Sequence, residues 1–434
     1  MFSRLADIKL ERNKTPWLAG LILVLSWSGF GSTAWAQDEP GATAAETRAG
    51  DAGSKSGAEK QSALNTDPLA NAIFDRPFVV GGQRASMGGY AETRVLYGVE
   101  EGISDGMSFN FQRFNLFAFA PIGSRIRFLS ELEFEFEDGE LEIKLETAQL
   151  DIEIAPEFVV RGGIILPPVG AFNQSHDGPI WDFGDRPLVS TTVIPSTFSE
   201  VGAGANGVID LGVIELDYQL YLTQGLGDGV VDNNMGRTSI PDGRSPGLME
   251  ADNNGEPAVT ARLALRYAES LEVGLSGWHG AYNSFKADGD EIDERRTVTL
   301  AALDFGFAHR WVELRGEVAW ASVEVPASLG TSFGEEQWGL HVDAVVPVWR
   351  TVMFDLPTTL QVGMRGEYVD DHLGELRNGD PAGEEHARAT ASLALRPGEE
   401  TVIRLNYGLD WVSDLVGNKP ERGMLAQLGL ATYF

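Results

Sequence analysis

The residues that could perform catalysis are few and scattered. The chain has no cysteine and six histidines, and none of these histidines lies in a recognisable motif with a serine. Nucleophilic and acid–base catalysis both need such groups placed together. We therefore expect no enzymatic activity and no cofactor, with an enzyme kept as the minor alternative. The histidines are His176, His279, His309, His341, His372 and His386.

Oxygen-bearing side chains that suit Ca²⁺ collect in the segments 225–234 and 252–254. They include Asp228, Asp232 and Asn233, whose carboxylate and amide oxygens are typical calcium ligands. Their spacing matches no calcium-binding loop, and the composition of polar turns explains it equally well. We predict no metal site from this pattern.

Most of the other charged residues alternate with apolar ones. In 401–411, apolar residues occupy every odd position from 403 to 411, while Arg404, Asn406 and Asp410 lie between them. Such period-two segments of about ten residues, separated by turns, are the signature of transmembrane β-barrel strands. The formal net charge of −31 excludes nucleic acid as an obvious partner, because phosphate binding needs clustered Lys and Arg.

A soluble β-sandwich also alternates, but its strands average five to six residues. Here the predicted strands are long enough to cross a bilayer at a tilt, and Trp and Tyr cluster at their ends, as membrane interfaces require. We count about sixteen antiparallel strands between residues 86 and 434, one of them spanning 335–346. Short turns, such as 396–400, alternate with longer loops. The fold class is therefore an all-β transmembrane antiparallel barrel.

The dipeptide Asp138-Gly139 is a strong hairpin signal and sets a register. Paired outward from it, the apolar residues oppose one another, as in Phe136 with Leu141. The polar face pairs Glu135 with Glu142, Glu133 with Lys144 and Glu131 with Glu146, and it must line the lumen. The apolar parity switches midway in three other stretches, which predicts bulges that the sequence does not locate. These stretches are 109–119, 141–154 and 298–307.

The N-terminus predicts export. Residues 1–36 combine a basic head, the apolar run WLAGLILVLSWSGF and an Ala-Trp-Ala site, which is the pattern of a signal peptide. The alternative, a membrane anchor, needs about 20 apolar residues. Residues 37–73 lack the apolar content to fold, and we interpret them as a disordered periplasmic linker. The barrel then occupies 74–434, in the outer membrane of a Gram-negative-type cell.

The stretch GGIILPPVGAFNQSHDGPIWDFGDRPLVSTTVIPSTFSEVGAG, residues 162–204, carries a family resemblance. With Phe-Asp-Arg-Pro-Phe at 74–78 and Gly-Gly-Tyr-Ala-Glu at 88–92, it resembles the porin O and porin P family of phosphate-selective porins. The closing Thr-Tyr-Phe looks like the terminal signal for barrel assembly. The resemblance implies a sixteen-stranded barrel, often trimeric, with a loop after the fifth strand folded into the lumen as a constriction.

That loop, residues 166–199, carries charged residues together with Trp181 and Phe183, which favour an ordered structure. A packed plug or an outward flap is the alternative to a constriction. We predict that the constriction is formed by Asp177, Asp182, Asp185, Arg186 and Arg161. We predict that the lumen is lined by Glu131, Glu133, Glu135, Arg315, Arg365, Arg388 and Arg404.

The function that follows is passive diffusion of small hydrophilic solutes or ions through a water-filled lumen, with charge selection at the constriction. The inward-facing charges lean acidic, and the alternative is a phosphate- or anion-selective porin. A non-conducting structural barrel or an enzymatic one is the alternative of a different class. The expected partners are outer-membrane lipid, lipopolysaccharide, the transported solutes, and the barrel assembly machinery through Phe434. A homotrimer is left open.

Overall fold

The computed structural model describes residues 85–434, except 105, 138, 269, 331, 376–381 and 417. The predicted signal peptide, the predicted linker and the segment 74–78 lie outside the described residues, as does Asp138 of the hairpin turn. Within the described part of the chain, no helix has both the length and the apolar character needed to cross a bilayer.

Sixteen antiparallel strands form one closed barrel, which confirms the predicted fold class. The strands are β1 (Ser86–Glu100), β2 (Met107–Ile122), β3 (Ile126–Glu137), β4 (Glu140–Ala155), β5 (Phe158–Ile165), β6 (Glu200–Asp210), β7 (Ile214–Thr223), β8 (Ala258–Tyr267), β9 (Leu271–Ala281), β10 (Lys286–Ala287), β11 (Asp290–Glu291), β12 (Thr297–His309), β13 (Val312–Val323), β14 (Glu336–Met353), β15 (Leu356–Asp370), β16 (Glu385–Pro397), β17 (Thr401–Val412) and β18 (Glu421–Tyr433). Each strand pairs with its neighbours in the chain, except that β9 pairs with β12 because β10 and β11 form a separate small ribbon in a loop.

Short helical turns occur only in two of the described loops. The loop between β5 and β6 contains Phe172–Gln174, Gly178–Ile180 and Val189–Thr192. The loop between β7 and β8 contains Asp228–Val230, Pro241–Gly243 and Pro246–Met249.

The two faces of the barrel wall differ as the alternation predicts. On β17 the apolar side chain of Leu405 is 52% exposed on the outside, whereas Arg404 is 1% exposed on the inside. Large exposed apolar side chains recur on the outer face of most strands. A continuous apolar surface of this kind would cause aggregation in water but matches the hydrocarbon layer of a membrane.

The barrel closes between the first and the last strand. Tyr90 on β1 lies opposite Tyr433 on β18, and their rings form a buried cluster with Phe117. Gly89 and Phe434 exchange two backbone hydrogen bonds of 3.1 and 3.0 Å. The Phe434 ring stacks on Phe114 at 5.4 Å between ring centroids. The C-terminal residue is therefore part of the seam that closes the barrel.

The predicted pairing of Glu131 with Glu146 is wrong. The register predicted from the hairpin turn holds as far as Leu132 and Leu145, but Glu131 then pairs with Thr147. Glu146 is the extra residue of a β-bulge, so that Glu146 and Thr147 are both buried on the inside of the wall. This bulge explains the switch of parity in 141–154.

A second bulge explains the switch in 109–119. Arg113 pairs with Glu92, whereas the next pair along β1 joins Thr93 to Phe111. Gln112 is therefore the extra residue on β2, and the residues beyond it change face.

Strand β14 extends seven residues beyond the predicted end at 346, to Met353. Its partner register shifts between Pro347 and Trp349, which leaves Val348 as an extra residue. Proline cannot donate a ladder hydrogen bond and is tolerated within sheets at bulges. The strand therefore continues through Pro347.

The predicted bulge in 298–307 is wrong, because β12 keeps an unbroken register with both neighbours. Its inward residues are simply apolar in the first half of the strand, where Val298, Leu300 and Ala302 are buried. They pack in one cluster with apolar residues of the loop between β5 and β6. The apolar core of this protein thus lies inside the barrel.

Candidate functional site

The loop between β5 and β6, residues 166–199, folds into the barrel; we call it the inner loop. It is bonded to nearly opposite parts of the wall. Gly170 N–H donates to Ser276 Oγ on β9 at 2.9 Å, and the Asp177 carboxylate accepts the hydroxyl of Tyr433 at 2.8 Å on β18, which is seven strands away around the barrel. The inner loop therefore crosses the lumen instead of lining one side of it.

One half of the inner loop is held by apolar packing. Val189, Val193, Ile194 and Phe198 are buried in the cluster that includes the inward side chains of β9, β12 and β13. Burial of side chains of this size contributes about 1.5–3 kcal/mol each relative to exposure. This packing fixes the second half of the inner loop against the wall.

Glu317 on β13 fixes the turn that begins the inner loop. Its Oε2 accepts the N–H groups of Ala171 at 2.8 Å and Phe172 at 3.3 Å, and its Oε1 accepts the hydroxyl of Ser190 at 3.0 Å. One carboxylate thus joins both halves of the inner loop to the same strand.

Arg404 on β17 performs the same role for the middle of the inner loop. Its Nη1 donates to the carbonyl oxygens of Gly178 at 2.9 Å and Trp181 at 2.6 Å, and its Nη2 bonds Glu92 on β1. Arg404 and Glu92 are 1% and 3% exposed. The predicted lumen residue Arg404 is therefore an anchor beneath the inner loop.

Two predicted constriction acids are also anchors. The Asp177 carboxylate accepts the hydroxyl of Tyr433 at 2.8 Å and is 2% exposed. Asp182 Oδ1 accepts a hydrogen bond from Nε of Arg396 at 2.8 Å. The backbone carbonyl oxygen of Asp182 accepts another from the hydroxyl of Ser392 at 2.6 Å. These contacts place both carboxylates against the wall.

Asp185 and Arg186 lie at the edge of the inner loop and are half-buried. Asp185 accepts Nη1 of Arg94 at 2.9 Å and Nε2 of Gln427 at 2.9 Å, while its side chain stays 27% exposed. Nε and Nη2 of Arg186 are buried and have no hydrogen-bond partner among the described residues. Of the three predicted constriction acids, Asp185 is therefore the one that keeps substantial exposure.

Arg161 lies in the barrel wall on β5 and makes two bonds to the Asp151 carboxylate on β4, of 2.8 and 2.9 Å. The residue is 5% exposed. This pair joins two neighbouring strands of the wall.

The other predicted lumen residues fall into two groups. Glu131 and Glu133 are buried beneath the inner loop, and Arg365 is buried in a two-bond pair with Asp343. Three side chains keep partial exposure and hold an opposite charge beside them; they are Glu135 with Arg113, Arg315 with Glu313, and Arg388 with Asp410. The open lumen therefore presents both signs of charge.

Arg396 is a functional residue that the sequence analysis missed, because it was assigned to a turn. It lies on β16, and its guanidinium also donates to the carbonyl oxygens of Pro179 at 2.8 Å and Ile180 at 3.0 Å. It continues the inward parity of Arg388 and Ser392 on the same strand. That parity is the signal that could have identified it.

Within the described residues, no serine hydroxyl bonds a histidine ring. His386 contacts Asp410 at 2.7 Å and His279 contacts Thr299 at 2.9 Å. The candidate calcium ligand Asp228 instead accepts Ser284 N–H at 2.9 Å, and Asn233 donates to backbone carbonyls. Asp228 therefore joins its loop to the loop that follows β9, whereas Asn233 bonds within its own loop.

The backbone resembles two solved porins. An anion-selective porin from Comamonas acidovorans aligns with a TM-score of 0.50 at 13% identity, over 81% of this chain and 99% of that one. OprB of Pseudomonas putida aligns with a TM-score of 0.50 at 9% identity, over 81% of this chain and 94% of that one. The chain has the fold of the outer-membrane porins. Identities this low establish the fold alone.

The sequence comparison adds one relative. Over 202 residues the chain is 32% identical to an uncharacterized protein of Aquifex aeolicus, strain VF5. The match covers 44% of this chain and 43% of the relative. The chain therefore matches less than half the length of that protein. No family model matches the chain.

Proposed function

We propose that this protein is an outer-membrane diffusion channel in which the inner loop forms a charged constriction. A single observation carries the proposal. The inner loop is bonded to the wall on several sides, while Asp185 and Arg186 at its edge stay partly exposed toward the lumen. A sixteen-stranded barrel is wide enough to enclose an aqueous channel, so an anchored loop would narrow the lumen without filling it.

The charges beside the opening determine which solutes would pass. Arg94 and Asp185 form one pair at 2.9 Å, and Arg388 and Asp410 form another at 2.7 Å. Paired charges of opposite sign create a local field without a strong preference for either ion. We propose weak charge selectivity for small hydrophilic solutes.

A phosphate- or anion-selective channel is the second candidate, and the partly exposed Arg94 and Arg388 beside the opening favour it. Guanidinium groups are strong donors for phosphate oxygens. The solved Comamonas porin is described as anion-selective. The resemblance of residues 162–204 to the phosphate-selective porins is compatible with this alternative.

The apolar outer face places this barrel in a membrane, and we propose the outer membrane, reached through the signal peptide 1–36. Its partners there would be lipid and lipopolysaccharide. The Phe434 side chain is 48% exposed on the outside of the seam and is accessible to the barrel assembly machinery. A homotrimer would use part of the same apolar outer face.

Solute flux into liposomes tests the proposal. The refolded mature chain is reconstituted, and the swelling rate is measured with sugars of increasing size. We expect uptake of small sugars with a sharp decrease as the sugar approaches the size of the constriction. A folded barrel that admits no sugar or ion would instead support a non-conducting structural barrel.

Asp185→Asn tests the constriction itself. Loss of this carboxylate leaves the adjacent Arg94 without its 2.9 Å partner, so the ion preference should move toward anions. We expect the reversal potential under a tenfold salt gradient to move by on the order of 10 mV in the anion direction. Asp288→Asn in the exposed turn between β10 and β11 is the matched control. An equal reversal potential in wild type and Asp185→Asn would show that Asp185 does not line the ion path.

A further inference from the structure

A cluster of metal-ligating side chains lies where the inner loop meets β3 and β4. It consists of Glu131 on β3, Glu146 on β4 and His176 on the inner loop, which are 0%, 3% and 2% exposed. One ligand atom from each residue lies within 4.8 Å of the other two. The bulge in β4 creates this cluster, since Glu146 is the extra residue that turns inward beside Glu131.

The hydrogen bond of the histidine ring prepares its other nitrogen for a cation. His176 Nδ1 lies 2.9 Å from the carbonyl oxygen of Asn173, which can only accept, so Nδ1 carries a proton. Nε2 then faces Oε2 of Glu146 at 3.3 Å. When the ring is neutral, Nε2 and Oε2 are both hydrogen-bond acceptors and cannot bond each other, whereas a cation between them would be bound by both. A backbone carbonyl on Nδ1 is the arrangement typical of histidines that ligate metals through Nε2.

Two neighbouring groups provide independent support. Asn115 is 0% exposed; its Nδ2 donates to Glu131 at 2.8 Å, and its Oδ1 has no hydrogen-bond partner in the described structure. Glu133 is 1% exposed, and its Oε1 has no hydrogen-bond partner there either. Arg113 Nε lies 3.9 Å from that oxygen, and Arg186 is the other arginine whose charge acts on Glu133 and Glu146. Buried oxygens are normally satisfied, so the unbonded Oδ1 of Asn115 beside three carboxylates indicates room for a further cation.

We infer that Glu131, Glu146 and His176 bind a divalent transition-metal ion of the Zn²⁺ type, which joins the inner loop to the barrel wall. Zn²⁺ accepts imidazole and carboxylate ligands in four-coordinate sites. Mg²⁺ and Ca²⁺ need six or more oxygen ligands and would gain little from the imidazole. A water molecule can complete the coordination, as it does in zinc sites with three protein ligands.

Isothermal titration calorimetry tests the inference. The refolded, untagged chain is freed of metal and titrated with ZnSO₄ in detergent. We expect one Zn²⁺ per chain, with Mg²⁺ failing to compete. His176→Asn and Glu146→Gln should each lose at least about tenfold in zinc affinity. His279→Ala is the matched control, because this histidine lies on β9 with its ring bonded to Thr299, and its affinity should equal that of wild type.

Zn²⁺ should also raise the urea concentration at the midpoint of wild-type unfolding but leave the midpoint of His176→Asn unchanged. This comparison of each protein with and without Zn²⁺ tests the site even if the variant is less stable. Absence of a stoichiometric zinc site in wild type, or equal affinity in wild type and His176→Asn, would overturn the inference and leave a protonated His176 paired with Glu146. These measurements do not depend on conduction. A chain that conducts but binds no zinc would refute the metal site alone, and one that binds zinc without conducting would refute the channel alone.

Discussion

Replacing residues 172–185 by a short Gly-Ser linker is expected to raise the single-channel conductance at least about threefold, since a sixteen-stranded barrel without its inner loop is a wide aqueous channel. The removed segment includes the carbonyls of Gly178 and Trp181, which bond Arg404, and the Asp182 carboxylate, which bonds Arg396. Its loss opens the lumen at the level of these contacts. Planar-bilayer recording measures the effect.

The matched control removes residues 286–291, the small ribbon formed by β10 and β11, which leaves the inner loop intact. Its conductance should equal that of wild type. If the barrel lacking 172–185 folds and conducts as wild type does, the inner loop is not the narrowest part of the passage, and the proposed constriction is refuted.

Arg404→Ala is expected to produce the largest loss of stability among single substitutions beneath the inner loop. The substitution leaves the carboxylate of Glu92, which is 3% exposed, with only the more distant Arg113 Nε at 4.0 Å, and it removes two bonds to inner-loop carbonyls. Breaking one side of a buried ion pair costs about 3–5 kcal/mol. Urea unfolding of the refolded barrel, followed by tryptophan fluorescence, gives the free energy of unfolding.

The double variant Arg404→Ala with Glu92→Ala separates the two causes. If the unpaired buried carboxylate dominates, the double variant recovers part of the stability that the single variant loses. Arg350→Ala is the control, because Arg350 is exposed and its guanidinium, among the described residues, bonds the carbonyl of Arg310 at 3.0 Å and no other group. The free energy of unfolding of this variant should stay within about 0.5 kcal/mol of wild type. An equally small effect for Arg404→Ala would show that this arginine does not hold the inner loop.

The architecture could be predicted from the sequence because each strand carries its own signal. A transmembrane strand must place apolar side chains toward lipid and polar ones toward the lumen, and β17 does so with Arg404 and Leu405 on opposite faces. The turn at Gly139 correctly predicted the pairing of β3 with β4 over five residue pairs, from Phe136 with Leu141 to Leu132 with Leu145. Period and turn chemistry are local properties.

The prediction failed where long-range contacts decide the facing or the pairing. The bulge at Glu146 shifts the pairing of Glu131, and nothing in the residue types around it marks its place. The inward apolar residues of β12, such as Leu300, suggested a bulge, but they are apolar because the inner loop packs on them. A partner more than 100 residues away in the sequence determines their environment.

The same limit applies to the site. Asp177, Asp182 and Asp185 are one residue type in one loop, yet the first two bond the wall and the third borders the lumen. Their roles depend on the path of a 34-residue loop across the barrel, which no local pattern specifies. Likewise Arg404 was predicted to line the lumen, and its place beneath the inner loop follows from that path.

Single-channel recording of the refolded mature chain in a planar bilayer, with the reversal potential taken under a salt gradient, tests the central claim most directly. We predict a steady conductance with a weak ion preference, because Asp185, Arg94, Arg388 and Asp410 present both signs of charge beside the opening. A strong anion preference that added phosphate blocks would replace weak selectivity with the phosphate-selective alternative. The absence of any conductance from a correctly folded barrel would contradict the claim that the inner loop leaves an open passage.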